Sequence, residues 1–362
     1  MSLVKRPHSA QHRKALWLGG GLLLASAALL LLGASVGSTG LDSVLNLCDD
    51  PQALQIVAEI RLPRTLGAWL AGALLGLAGA LAQGLFRNPL ADPYLLGSAS
   101  GASLGVALCM AMLTWGGASG LPGGGMMQGG VSFGVVSGSL LLRLGLTGAA
   151  FVGAVLSVLL TLALSRGVQN TLRLLLAGVV VGVVLGAATQ MVLLMSPDSL
   201  QAMQSFMLGS TAFVGWAACG VMAVVWGLCM GVAALLGRVL DGLSLGEATA
   251  RSLGLPLGSL RIALVAVLAL ATGTAVAQTG LIAFVGLAAP HLVRSVIKTT
   301  HAHLMLLASL MGGALLLAAD TLARGLIAPQ ELPVGVLTAV LGGGYLLWLM
   351  HRHSRSFAGG GA

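Results

Sequence analysis

Few residues in this chain carry a charge or a nucleophile. Glycine precedes none of Lys5, Lys14 and Lys298, so no phosphate-cradling GxxxxGK[ST] loop exists. HExxH is missing as well, and GSASGAS at 97–103 has serines and glycines at the wrong spacing for a hydrolase elbow. His291, in APHLVR, reads as a helix-end histidine that caps carbonyls. Met191, Met195, Met203 and Met207 surround a SPDS turn, where adaptable thioethers are expected to pack rather than ligate metal. Cys48, Cys109, Cys219 and Cys229 form no CxxC and are expected to be small core residues. What remains is two polar stretches. RNPLADPYLLG (87–97) places Arg87, Asn88 and Asp92 between apolar runs, and Pro89 and Pro93 forbid a continuous helix there. RVLDGLSLGEATARSLGLPLGSLR (238–261) holds a short amphipathic helix. Ser244 is its expected N-cap and Glu247 completes a capping box. Leu245, Ala248 and Leu253 are expected to form its apolar face, and Gly254 its end. A short helix outside a membrane suits a groove on a partner protein.

The elements around these stretches are membrane helices. The 362 residues are 57% hydrophobic and 8% charged, with mean hydropathy +0.98, whereas a soluble domain carries roughly 25% charged residues. The fold class is therefore all-α and integral to a membrane. Ten apolar windows predict spans at about 15–36, 62–85, 95–114, 144–164, 172–195, 211–237, 262–277, 281–297, 303–320 and 333–350, with 281–297 the weakest. Ala15–Val36 exceeds a signal-peptide core and reads as a retained first span. Residues 1–14 and 351–362 read as tails, 15–350 as one ten-span transmembrane domain, and Gly-rich 116–130 as a loop.

Ten spans put both termini on one side. With them fall Lys5, Arg6, Arg13, Lys14, Arg87, Arg166, Arg173, Arg238, Arg251, Arg261, Arg294, Lys298, Arg352 and Arg355, fourteen of the 18 basic residues. Arg61, Arg64, Arg143 and Arg324 fall on the other side, with Asp320, Glu331 and most of the acids. The positive-inside rule puts both ends in the cytoplasm, so the net charge of +8 reflects topology rather than nucleic-acid binding. No span has a charge at its centre, which argues against ion-coupled carriers and channels that need one. An intramembrane metalloprotease would need HExxH, which is absent. Gly178, Gly182 and Gly186, like Gly72 and Gly76, strip one helix face for close packing or for a smooth wall beside a path. Gln83, Thr189, Gln190, Thr272, Thr274 and Gln278 are placed to bond between helices or to face a polar substrate.

Six ordered stretches resemble the permease subunit of bacterial type II ABC importers for iron chelates, haem or vitamin B12. They are RLPRTLGAWLAGALLGLAGALAQGLFRNPLADPYLLG (61–97), RLLLAG (173–178), LGEATARSLGLPLG (245–258), GLIAFVGLAAPHLVR (280–294), ADTLAR (319–324) and ELPVGVLTA (331–339). The resemblance implies a ten-span homodimer in the bacterial inner membrane, in contact with lipid, two cytoplasmic ATPase subunits and a periplasmic binding protein. ATP and Mg would sit on the ATPase, and this chain would bind no cofactor. A haem or ferric-siderophore cargo is favoured, with vitamin B12 as the alternative. Carried over residue by residue, Asn88, Leu90, Thr171 and Leu172 are gate positions, and Arg61 and Arg324 dock the binding protein. Leu245, Gly246, Glu247, Ala248, Leu253 and Gly254 form the helix that meets the ATPase. Where that family commonly has Asp-His-Arg after the eighth span, this chain reads THAH (300–303).

Overall fold

A computed structural model describes residues 8–37, 40–41, 51–115, 140–165, 171–252, 254 and 256–358. The Gly-rich 116–130 stretch and Leu253 lie outside them. Among the described residues, a helix stands at each of the ten expected places. They are α1 (His8–Ser35), α2 (Leu62–Phe86), α3 (Ser98–Trp115), α4 (Leu140–Leu164), α5 (Thr171–Met195), α6 (Trp216–Ser244), α7 (Leu257–Thr279), α8 (Val285–Val296), α9 (His301–Gly325) and α10 (Val334–Ala358). Short helical turns precede α2 (Pro51–Ile56 and Val57–Arg61), follow it (Pro93–Leu96), and link α5 to α6 (Pro197–Ser199 and Leu200–Leu208).

Seven of these helices are long and apolar enough to cross a membrane, and α3 and α10 carry shorter apolar stretches. The weak 281–297 window becomes a helix of 12 residues. At 1.5 Å per residue it is about 18 Å long, short of the ~30 Å hydrocarbon layer. Helices α1 and α10 also run into the expected tails, starting at His8 and ending at Ala358.

α2 is the axis of the bundle. Its side chains are buried without interruption from Leu70 to Phe86, and its most extensive neighbour is α9. Small residues make that crossing possible. A Cβ on Gly72 would collide with the Gly312 backbone and Leu316, and one on Gly76 with Ala308 and Gly312. Backbones that approach this closely gain van der Waals contact along their length, the association mode available where water does not drive helices together. α1 joins the pair, with Trp69 Nε1 donating to Ser26 Oγ at 3.0 Å. α3 and α4 form a second close pair through Gly101, Gly105 and Gly153. α5 lies at the margin, with Leu172, Leu176, Val179, Val183, Met191 and Leu194 exposed.

Gly76→Val is expected to lower the melting temperature in detergent by about 5 °C or more, since overpacking costs about 1–3 kcal/mol or more. Gly186 faces open space, so Gly186→Ala should leave the melt unchanged. Equal melts for the two variants would refute the close-contact reading of α2 and α9.

Candidate functional site

The elbow after α2 is built from its own polar residues. Arg87 takes the left-handed conformation (φ 49°) and ends α2, with its N–H on the Gln83 and Gly84 carbonyls. Asn88 Oδ1 accepts the Leu90 N–H at 2.9 Å, closing a turn around Pro89. Asp92 then caps the single turn Pro93–Leu96 by accepting the Tyr94 N–H at 2.8 Å. Gly97 closes the turn at φ 84°, a conformation that suits glycine.

This second half of the elbow is wedged among helices. Tyr94 donates its hydroxyl to the Ile282 carbonyl at 3.1 Å, and Thr161 Oγ1 donates to the Leu96 carbonyl at 3.0 Å. Pro93 fills the place a Cβ on Gly286 would need, and the Leu95–Leu96 backbone lies on Gly178 of α5. Irregular backbone at membrane depth is stable where protein groups satisfy it. Ile282 belongs to a second break, between α7 and α8, where Phe284 holds a left-handed φ of 68°. Two interrupted helices thus meet beside α5.

Of the residues expected at a gate, Asn88 and Leu90 lie at the tip of the elbow, and Thr171 and Leu172 at the start of α5. Asn88 and Leu90 are exposed, Leu172 is 76% exposed, and Thr171 opens α5 half-buried. The elbow touches α5 near Gly178, about 10 Å along the helix from Thr171 by helical rise. Of the glycine stripe, Gly178 is needed for packing, whereas Gly186 faces open space. Gln83 bonds between helices, donating to the Leu287 carbonyl at 3.1 Å and accepting from Arg294. Thr189 and Thr272 bond back to their own helices, and Gln278 lines a cavity of about 120 Å³ with Thr147, Ser205 and Ser210. Cys219 and Cys229 are buried, as expected of core residues, while Met203 packs inside and Met191, Met195 and Met207 are exposed.

Three sequence expectations need correction. Arg324 was expected on the outer surface, yet it is 2% exposed. It pairs with Asp320 at 2.7 Å and donates to the Gly33 carbonyl at 2.8 Å. Asp320, placed by sequence among the loop acids, is fully buried in α9. Around it gather Arg64 at 3.4 Å and the Thr211 hydroxyl, and Arg64 also holds Glu331 at 2.9 Å. The i,i+4 spacing of Asp320 and Arg324 was the available signal for the pair. Arg61 remains partly exposed just before α2.

His291 does not sit at a helix end. It lies inside α8, with Nδ1 2.9 Å from the Tyr345 hydroxyl.

The third correction concerns the short loop helix, Glu247–Ser252. Ser244 is the last residue of α6, and its hydroxyl donates back to the Asp241 carbonyl at 2.6 Å, so it belongs to α6 rather than to the start of the next helix. Gly246, at φ 112°, precedes the helix instead. Ala250 is its buried contact, while Leu245 and Ala248 are exposed. Gly254 closes the segment as expected, at φ 76° with its N–H on the Arg251 carbonyl at 2.9 Å.

The sequence from residue 21 to 352 matches the FecCD transport family. This chain belongs to the FecCD transport family. FecCD membership makes it a membrane permease subunit of the ABC-transporter class. It is 38% identical to the hemin transport system permease protein HmuU of Yersinia pestis, covering 94% of this chain and 97% of that protein. It is 37% identical to the vitamin B12 import system permease protein BtuC of Pectobacterium atrosepticum, covering 84% and 85%. A solved structure described as an inward-facing conformation of a metal-chelate type ABC transporter superposes with TM-score 0.78 at 27% identity, covering 92% of this chain and 98% of that one. Against this FecCD background, the elbow and the charge network are the polar centres at opposite ends of α2.

Asp320→Asn is expected to cost about 3–5 kcal/mol, because it leaves Arg324 and Arg64 without their buried anion. Glu331→Gln, at a carboxylate 30% exposed, should cost about 1 kcal/mol or less. Thermal melts of the two variants in detergent check the order, and equal losses would contradict it.

Proposed function

We propose that the chain is the permease subunit of an ABC importer that moves a bulky metal chelate from the periplasm into the cytoplasm. The observation that carries this reading is the elbow, a hydrogen-bonded break between α2 and α3 whose base packs on α5 and whose polar tip is exposed, in a FecCD chain. Haem or a ferric siderophore is the favoured cargo, supported by 38% identity to a hemin permease. Vitamin B12 is the second reading, supported by 37% identity to a B12 permease.

Two copies pair across the exposed apolar stripe of α5, and the path runs between them with Asn88, Leu90, Thr171 and Leu172 at its cytoplasmic mouth. Energy comes from a separate ATPase, since the sequence has no phosphate-cradling lysine loop. That ATPase docks on Leu245–Gly254, where Leu245 is 69% exposed. A periplasmic binding protein brings an acidic residue to Arg61. Both termini lie in the cytoplasm, as the distribution of basic residues indicates. Arg324 serves this surface from below, by holding Asp320 and α1 in place, rather than by touching the partner.

The test is uptake by liposomes that hold the permease with its ATPase and binding protein, offered haem, a ferric siderophore and cobalamin with and without ATP. ATP-dependent uptake of one of them is expected. Uptake that follows an ion gradient without the ATPase would contradict the proposal. In the same assay, Arg61→Glu should weaken binding-protein affinity by about tenfold, with ATP hydrolysis retained.

A further inference from the structure

A carboxylate–imidazole contact lies where the 238–261 loop meets the membrane domain. Asp241 sits in the last turn of α6, just before Leu245 and the helix Glu247–Ser252. Its Oδ1 accepts the backbone N–H of His301 at 3.0 Å and lies 2.6 Å from His301 Nδ1. His301 is the first residue of α9, and Thr300, in N-cap position, makes no side-chain cap bond. The Thr300 hydroxyl lies instead 3.0 Å from His303 Nδ1. The free end of α9 is therefore capped from another helix. A carboxylate at a helix N-terminus also gains from the helix dipole. Just above, Gly237 of α6 lies against the Ala302 backbone, and Gly84 of α2 lies near the His301 ring. The contact is thus built into the packing of three helices. It also sits in the THAH segment, where this chain departs from the commoner Asp-His-Arg.

α9 carries the contact across the membrane. It runs unbroken from His301 to Gly325, packs along α2, and ends in the Asp320–Arg324 pair. We propose that Asp241 and His301 form the joint that passes displacement of the Glu247–Ser252 helix into α9, and so to the charge network at its far end. Both are positioning residues that act through α9. This rests on the ATPase-docking role proposed above for residues 245–254.

The experiment uses the full complex in liposomes, with haem, a ferric siderophore and cobalamin as probes. ATP hydrolysis and probe delivered per ATP are both measured. Asp241→Asn keeps an oxygen for the His301 N–H, so α9 stays capped while the imidazole loses its anion. His301→Ala keeps the backbone bond and removes the ring. Each variant should hydrolyse ATP at the wild-type rate and deliver about tenfold less probe per ATP, within the usual range of a coupling between sites. The double variant should be no worse than either single one. Unchanged delivery per ATP in both single variants would overturn the joint. A proportional fall of hydrolysis and uptake would also overturn it, marking a contact that only supports the fold. If the wild-type complex shows no ATP-dependent uptake, the importer reading fails and the joint with it.

Discussion

Two helix backbones in contact set the terms for the rest of this structure. Where α2 crosses α9, Gly72, Gly76 and Gly312 leave no room for side chains between them. In lipid, apolar side chains gain little by leaving one oily surface for another, so close backbone packing is what holds helices together. The α2–α9 pair is thereby a rigid centre. α1, α6, α7 and α8 pack around it, and α5 is left at the margin with an apolar face uncovered.

Polar groups appear where this centre ends or breaks. At one end of α2, Arg64 joins Asp320, Arg324 and Glu331 in a network that ties α1, α2 and α9 together. At the other end the chain turns back into the bundle, and Asn88, Asp92, Tyr94 and Thr161 satisfy the turn. In both places most of the polar atoms away from water meet specific partners, which offsets their desolvation. This leaves the tip, Asn88 to Leu90, exposed on a fixed base.

Much of this was legible in the residues, for physical reasons. Long apolar windows gave helices, because a membrane span needs length and little else. Pro89 and Pro93 gave the break, because proline cannot continue a helix. Gly72 and Gly76 gave a packing face by their spacing. The misreadings share a cause, which is that burial depends on partners far away in sequence. Arg324 resembles a solvated helix-end arginine until Gly33 and Thr65 are seen to enclose it. Ser244 has the spacing of a capping box, but α6 ran past its expected end and absorbed it. The left-handed Phe284 has no local signal at all, since that conformation is disfavoured for an aromatic residue and is held by the surrounding fold.

A permease must move some helices while others keep their places. Fixed contact between α2 and α9 makes displacement passed into α9 move the pair as one body, against which α5 and the elbow tip shift. Spin labels at Leu62 and Leu322, exposed on α2 and α9 near the same end, measure that directly in the assembled transporter. Their separation should stay constant, within about 2 Å, between nucleotide-free and ATP-trapped states, while labels at Leu172 change separation between copies. A shift of Leu62 against Leu322 by about a helical turn would contradict the rigid centre on which the account depends.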